Sequence, residues 1–101
     1  MIIYNITTKV DRRIGTGWLE WMKSEHIPAI IATGCFSHCT LLHLIEADDA
    51  EGYTYAAQFH TSDISGYERY VDEYAAHYSK IAIEKWGEKF ISFRTVMRVV
   101  N

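Results

Sequence analysis

Residues 2–10 alternate as a half-buried strand does. Ile2, Tyr4, Ile6, Thr8 and Val10 share one face; Ile3, Asn5, Thr7 and Lys9 share the other. Asp11 then stands where a helix cap would, although Gly15 and Gly17 loosen the first turn. From about 12 to 33 the period becomes helical. Leu19, Met22, His26 and Ile30 make a stripe flanked by Trp18 and Ile27, with Glu20, Lys23 and Ser24 on the other side. Pro28 interrupts this pattern. It offers no N–H and crowds the turn before it, which predicts a kink near Ser24 to Ile27. Gly34 is a good terminator.

Residues 36–46 read as a second strand with two apolar faces: Phe36, Leu42 and Leu44 on one, Cys39, Leu41 and Ile45 on the other. The polar turn Asp48-Asp49-Ala50-Glu51-Gly52 joins it to a strand over 53–60, with Tyr53, Tyr55, Ala57 and Phe59 on one side. So short a link implies an antiparallel hairpin. Ser62-Asp63-Ile64-Ser65 supplies caps for a second helix. Tyr67, Tyr70, Val71, Tyr74, Tyr78 and Ile81 form its stripe, and Gly87 marks its end. Residues 89–100, rich in β-branched and aromatic side chains, make a last strand.

The order β-α-β-β-α-β predicts an α+β, ferredoxin-like domain over residues 1–101: a four-stranded antiparallel sheet with two helices on one face. The other face would then be bare, roughly 500 Å² at 4.8 Å per strand. Phe90 and Val96 oppose Ile91 and Phe93 on the last strand, so apolar residues fall on both sides. A patch of that size is near the limit for a monomer. A face-to-face homodimer is therefore expected. The alternative is a monomer whose open face is wetted by Asn5, Thr7, His43, Gln58 and His60.

Composition narrows the function classes. The chain of 101 residues is 49% hydrophobic and 23% charged, with net charge −3 and one adjacent basic pair, Arg12-Arg13. Phosphate neutralisation needs several clustered cations, so nucleic acid is not an expected partner. No apolar run approaches the length of a membrane span, and residues 1–10 lack the pattern of a signal peptide, so no membrane role and a cytoplasmic location are expected. Cys35 and Cys39, about 13 Å apart along a strand, are too distant for a disulfide, and no metal site is expected from them with His38.

Met1-Ile2-Ile3-Tyr4-Asn5, Trp18-Leu19-Glu20-Trp21-Met22, His26-Ile27-Pro28, Ala32-Thr33-Gly34-Cys35-Phe36 and Phe93-Arg94-Thr95 resemble an uncharacterised bacterial family of domains of unknown function, over nearly the whole chain. That family resembles the dimeric α/β-barrel superfamily, in which two ferredoxin-like protomers pack sheet to sheet. The resemblance implies a homodimer with a cleft between helices and sheet. It supplies no reaction, since the superfamily includes cofactor-free monooxygenases, isomerases, chlorite dismutases and haem-degrading enzymes. Similarity to the haem-degrading members rests on Asn5 and His77. Where those members carry a Trp, this chain has Tyr67.

The candidate ligand-binding residues are Asn5, Trp21, His26, Tyr67, Tyr70 and His77. His26, on the sheet-facing stripe, is either a neutral core histidine or a base in the cleft. His77 is either a surface histidine near Glu73 or, by the resemblance, an axial haem ligand. The tyrosine ladder 67, 70, 74 and 78 is either core or the lining of an aromatic pocket. Trp18 and Trp21 share that ambiguity, and Trp86 is expected to cap the core. Arg94 needs a carboxylate such as Glu46 if its face is internal. The expected function is a homodimer that binds a small apolar or aromatic molecule, with no cofactor. The alternatives are a cofactor-free monooxygenase- or isomerase-like enzyme, or a haem protein using His77.

Overall fold

The computed structural model describes residues 1–101. Strand β1 (Ile2–Asp11) leads into a helical run made of α1 (Gly15–Trp21), a π turn (Met22–His26) and α2 (Ile27–Ile31). Strands β2 (His38–His43) and β3 (Gly52–Thr61), helices α3 (Ile64–Glu73) and α4 (Ala75–Trp86), and strand β4 (Phe90–Arg98) follow. The fold is α+β. Its four strands form one open antiparallel sheet in the order β2-β3-β1-β4.

Directly opposed residues share a face, so the register sorts every strand residue. One face carries the rows Cys39, Phe59, Tyr4, Val96 and Leu41, Ala57, Ile6, Arg94. The other carries His38, His60, Ile3, Met97, then Thr40, Gln58, Asn5, Thr95, then Leu42, Ala56, Thr7, Phe93. The helices pack on the Tyr4 face. Tyr4 and Phe59 are 2% and 1% exposed. Tyr70 brings its ring to 5.7 Å from Tyr4, and Trp18 lies 5.3 Å from Tyr55.

Several expectations need correction. Asp11 caps no helix. It closes β1, its N–H donating to the Lys89 carbonyl at 2.8 Å, while its carboxylate accepts from the Arg13 N–H and guanidinium. The helix starts later, at Gly15, behind Ile14. The second strand starts later than expected, at His38, with Phe36 turned into the core where its ring lies 5.4 Å from Phe59, and it ends earlier, at His43. His43 does not wet the open face. It pairs with Tyr55 on the helix side, the rings 5.1 Å apart.

The second helix is also not continuous. It breaks at Tyr74, whose φ of −129° leaves the helical region. Tyr70 and Tyr78 are eight residues apart, and an unbroken helix would set them roughly 80° apart. Across the break their rings stack at 6.4 Å and 9°. Asp63 does cap α3, accepting from the Ser65 N–H at 3.0 Å, and Gly34 ends the first helical run with φ +80°.

Gly52 opens β3 opposite Asp11, where a Cβ would overlap the Val10 carbonyl oxygen of β1. Neither strand can yield without losing its register. We expect Gly52→Ala to lower the unfolding free energy by about 2 kcal/mol. Urea denaturation checks this, and a midpoint equal to that of the wild type would contradict the register at this end of the sheet.

Candidate ligand cleft

The helical layer does not reach across all four strands. Beyond β1 it leaves a cleft of about 200 Å³, lined by 18 residues of which 13 are hydrophobic. Tyr4, Ile6 and Thr8 of β1, Ala57 and Phe59 of β3, and Phe90, Ser92 and Arg94 of β4 make its floor. Trp18, Trp21, Met22, His26 and Ile30 form one wall. Tyr70, Tyr78, Ser79, Ala82 and Ile83 form the other.

The first wall follows from Pro28. A proline has no N–H for the carbonyl four residues back and its ring crowds that carbonyl. The ladder opens ahead of it, so Ile27 donates five residues back, to the Met22 carbonyl. This places the kink expected near Ser24 to Ile27 at a π turn. In a regular helix Trp21 and His26 would point roughly 140° apart. Five residues are close to one full π turn, which returns them to the same side. Their rings stack at 4.3 Å and 24°, and Tyr78 meets His26 edge-on at 5.9 Å.

Burial pushes the His26 imidazole down to about 4 from 6.5, so it is neutral at pH 7. It makes no hydrogen bond within the chain and acts as part of an aromatic wall. Burial likewise pushes the Tyr70 phenol up, and the Arg94 charge works against that rise. The Tyr78 hydroxyl donates to the Ala29 carbonyl at 3.4 Å, tying α4 to α2.

Arg94 is the one lining residue that carries a charge at neutral pH. It stands on the helix-side face opposite Ile6, and its Nη2 donates to Ser79 Oγ at 2.6 Å. The carboxylate expected beside it is absent. The ion pairs of the chain are Arg13–Asp11, Arg69–Glu73 and Lys80–Glu84, and the His43 ring lies 3.6 Å from the Asp49 carboxylate. Glu46 sits exposed beyond the end of β2, the opposite edge of the sheet from β4.

Of the six candidate residues, Trp21, His26 and Tyr70 line the cleft. Asn5 lies on the far side of the sheet, where its Nδ2 donates to Thr7 Oγ1 at 2.9 Å. Tyr67 rests on Tyr4 at 5.2 Å, outside the lining, and His77 is exposed with its ring edge-on to Tyr78 at 5.0 Å. Trp86 packs edge-on against Trp21 at 5.9 Å, behind the wall. Ser79, Ala82, Ile83 and Ser92 are cleft residues that periodicity did not single out. The available signals were the parity of Ser92 with Arg94 and the placement of Ala82 four residues after Tyr78. Cys35 and Cys39 are free thiols, and burial pushes Cys39 up to about 12, far from a reactive thiolate. No three His, Cys, Asp or Glu side chains gather where they could hold a metal ion.

The family model of DUF4286, a domain of unknown function, matches residues 1–100, and the chain belongs to that family. No curated protein matches the chain.

The His26 environment gives stability a pH dependence. Between pH 6.5 and 4 the unfolded chain binds a proton at His26 that the folded chain refuses, so stability falls as pH falls through that window. The loss attributable to this residue is about 3 kcal/mol at its fullest. Urea titrations at pH 7 and pH 4.5 should show it, and His26→Gln should flatten most of the difference. A histidine resonance titrating near pH 6.5 for His26 would contradict the burial that the prediction rests on.

Proposed function

We propose that this protein, from a family with no assigned activity, binds a small, largely apolar or aromatic molecule in the cleft between its helices and sheet. The observation that carries the reading is the cleft itself. Concave, mostly apolar sites with a few convergent polar groups are the usual form of small-molecule sites. A dry cavity of about 150 Å³ is enough for benzene. A space of about 200 Å³ therefore takes one aromatic ring and a few further atoms. Trp21, His26 and Tyr78 bring three aromatic rings to its lining.

The binding unit we propose is a ferredoxin-like homodimer joined through the open face. The element order and the strand order β2-β3-β1-β4 support the ferredoxin-like reading. The dimer is supported by what the open face leaves in water. Ile91 and Phe93 are 72% and 64% exposed, with Leu42, Leu44 and Met97 also exposed. Two copies stacked on this face would bury roughly 1,000 Å² or more, the threshold of specific interfaces. Free thiols fit a reducing compartment, in keeping with the cytoplasm.

The geometry favours binding over the other two readings. A cofactor-free oxygenase or isomerase needs a base near its working pH and hydrogen-bonded to an orienting group. His26 has neither property, and His77 lies outside the cleft. Haem is the less favoured reading, because the cleft volume matches a single ring better than a porphyrin and His77 is not in its lining.

Two measurements test the proposal. Titration with benzyl alcohol should shift the Trp21 indole N–H resonance saturably at millimolar concentration. Ala82→Phe, which fills the cleft from α4, should abolish that shift while the chain stays folded. A nonsaturating response, or one untouched by Ala82→Phe, would remove the cleft as a binding site. Light scattering at micromolar concentration should return twice the chain mass of 11.7 kDa, and Phe93→Glu should halve it. A one-chain mass for the wild type refutes the dimer.

A further inference from the structure

The chain carries a net charge of −3, yet the lining of its cleft holds no Asp, Glu or Lys and one arginine. A guanidinium has five N–H donors. Arg94 gives one of them to Ser79 Oγ and is in no ion pair. Ser79 accepts in that bond, so its own O–H remains free to donate. Ser92 precedes Arg94 by two residues on the same strand and also lines the cleft, opposite Thr8 of β1. One end of the cleft is thus a set of hydrogen-bond donors around an unneutralised cation. The rest is aromatic and aliphatic. His26, the other basic group of the lining, is uncharged at neutral pH.

The geometry points to an aromatic monocarboxylate as the class of molecule the cleft takes, its ring against Trp21 and His26 and its carboxylate on Arg94 and Ser79. This rests on the cleft being a ligand site and adds the chemistry of the ligand's head group. A planar guanidinium matches a carboxylate in bidentate fashion. Because Arg94 is at the exposed mouth, the head would bind at the rim while the ring enters the apolar part. An uncharged aromatic of the same size would leave the donors of Arg94 to water.

Benzoate and benzyl alcohol differ at that head group and share the ring, so they separate the two claims. Benzoate should bind about tenfold more tightly than benzyl alcohol by isothermal or resonance titration, consistent with a charge-assisted pair at a solvent-facing site. In Arg94→Gln the ratio of the two affinities should fall to about one, and in Ser79→Ala it should fall about threefold. Both substitutions sit at the exposed mouth rather than in the core, and a wild-type circular-dichroism melt verifies the fold of each. Raising salt from 50 mM to 500 mM should weaken benzoate more than benzyl alcohol. Equal affinities in the wild type, or a preference that survives Arg94→Gln, would overturn the carboxylate inference and leave the cleft reading standing. Failure of both probes to bind would overturn the two together.

Discussion

Coverage is the constraint on which this structure depends. A four-stranded sheet has two faces to shield from water, and the chain provides helices for part of one. Tyr4, Val10 and Phe59 on β1 and β3 are sealed beneath the helical layer, whereas almost every residue of β4 is exposed. The shortfall is expressed twice. On the helix side, the uncovered strip between α4 and β4 becomes the cleft. On the far side, Leu42, Ile91 and Phe93 stand in water. A chain of 101 residues has little apolar burial to spare against the entropy of ordering itself, so both surfaces are where a ligand or a second copy would add most.

Within that frame one backbone atom matters more than its size suggests. The hydrogen that Pro28 lacks prevents a regular ladder, and the helix responds by widening to the Ile27-to-Met22 bond. Widening turns Trp21 and His26 onto the same side and stacks them. The histidine is thereby held in an apolar wall where its charged form is disfavoured. Local sequence, helix geometry, ring packing and protonation state are four steps of one chain of cause. The functional consequence is a cleft whose basic character resides in Arg94 alone.

Much of the fold was legible because strand parity and helix period are local. Ile2, Tyr4, Thr8 and Val10 are buried together as their alternation requires, Asp63 caps α3, and Gly34 ends the first helical run. What was not legible depends on partners far along the chain. Asp11 extends β1 because Lys89 offers it a carbonyl, which outweighs its propensity to cap. The helix breaks at Tyr74, and Tyr70 and Tyr78 stack across the break in a phase that one continuous helical period does not give. The site shows the same division. Trp21, His26 and Tyr70 followed from a helical stripe, since a stripe facing the sheet also faces any space left there. Asn5 did not follow, because its placement by resemblance conflicted with its own strand parity. The sequence placed Arg94 with Phe90 and Val96 but not on a particular face. That needed the pairing of Arg94 with Ile6 across two strands far apart in sequence.

The claim that the helix-side gap receives a guest, and the bare sheet face does not, can be read methyl by methyl. Ile6, Met22, Ile30, Ala82 and Ile83 line the cleft, while Ile3, Leu42, Ile91 and Met97 belong to the opposite surface. Methyl-labelled protein titrated with benzoate gives each group its own resonance. The account predicts saturable shifts, and contacts to the ring protons, confined to the first set. Shifts confined to the second set, or distributed evenly over both, would contradict it.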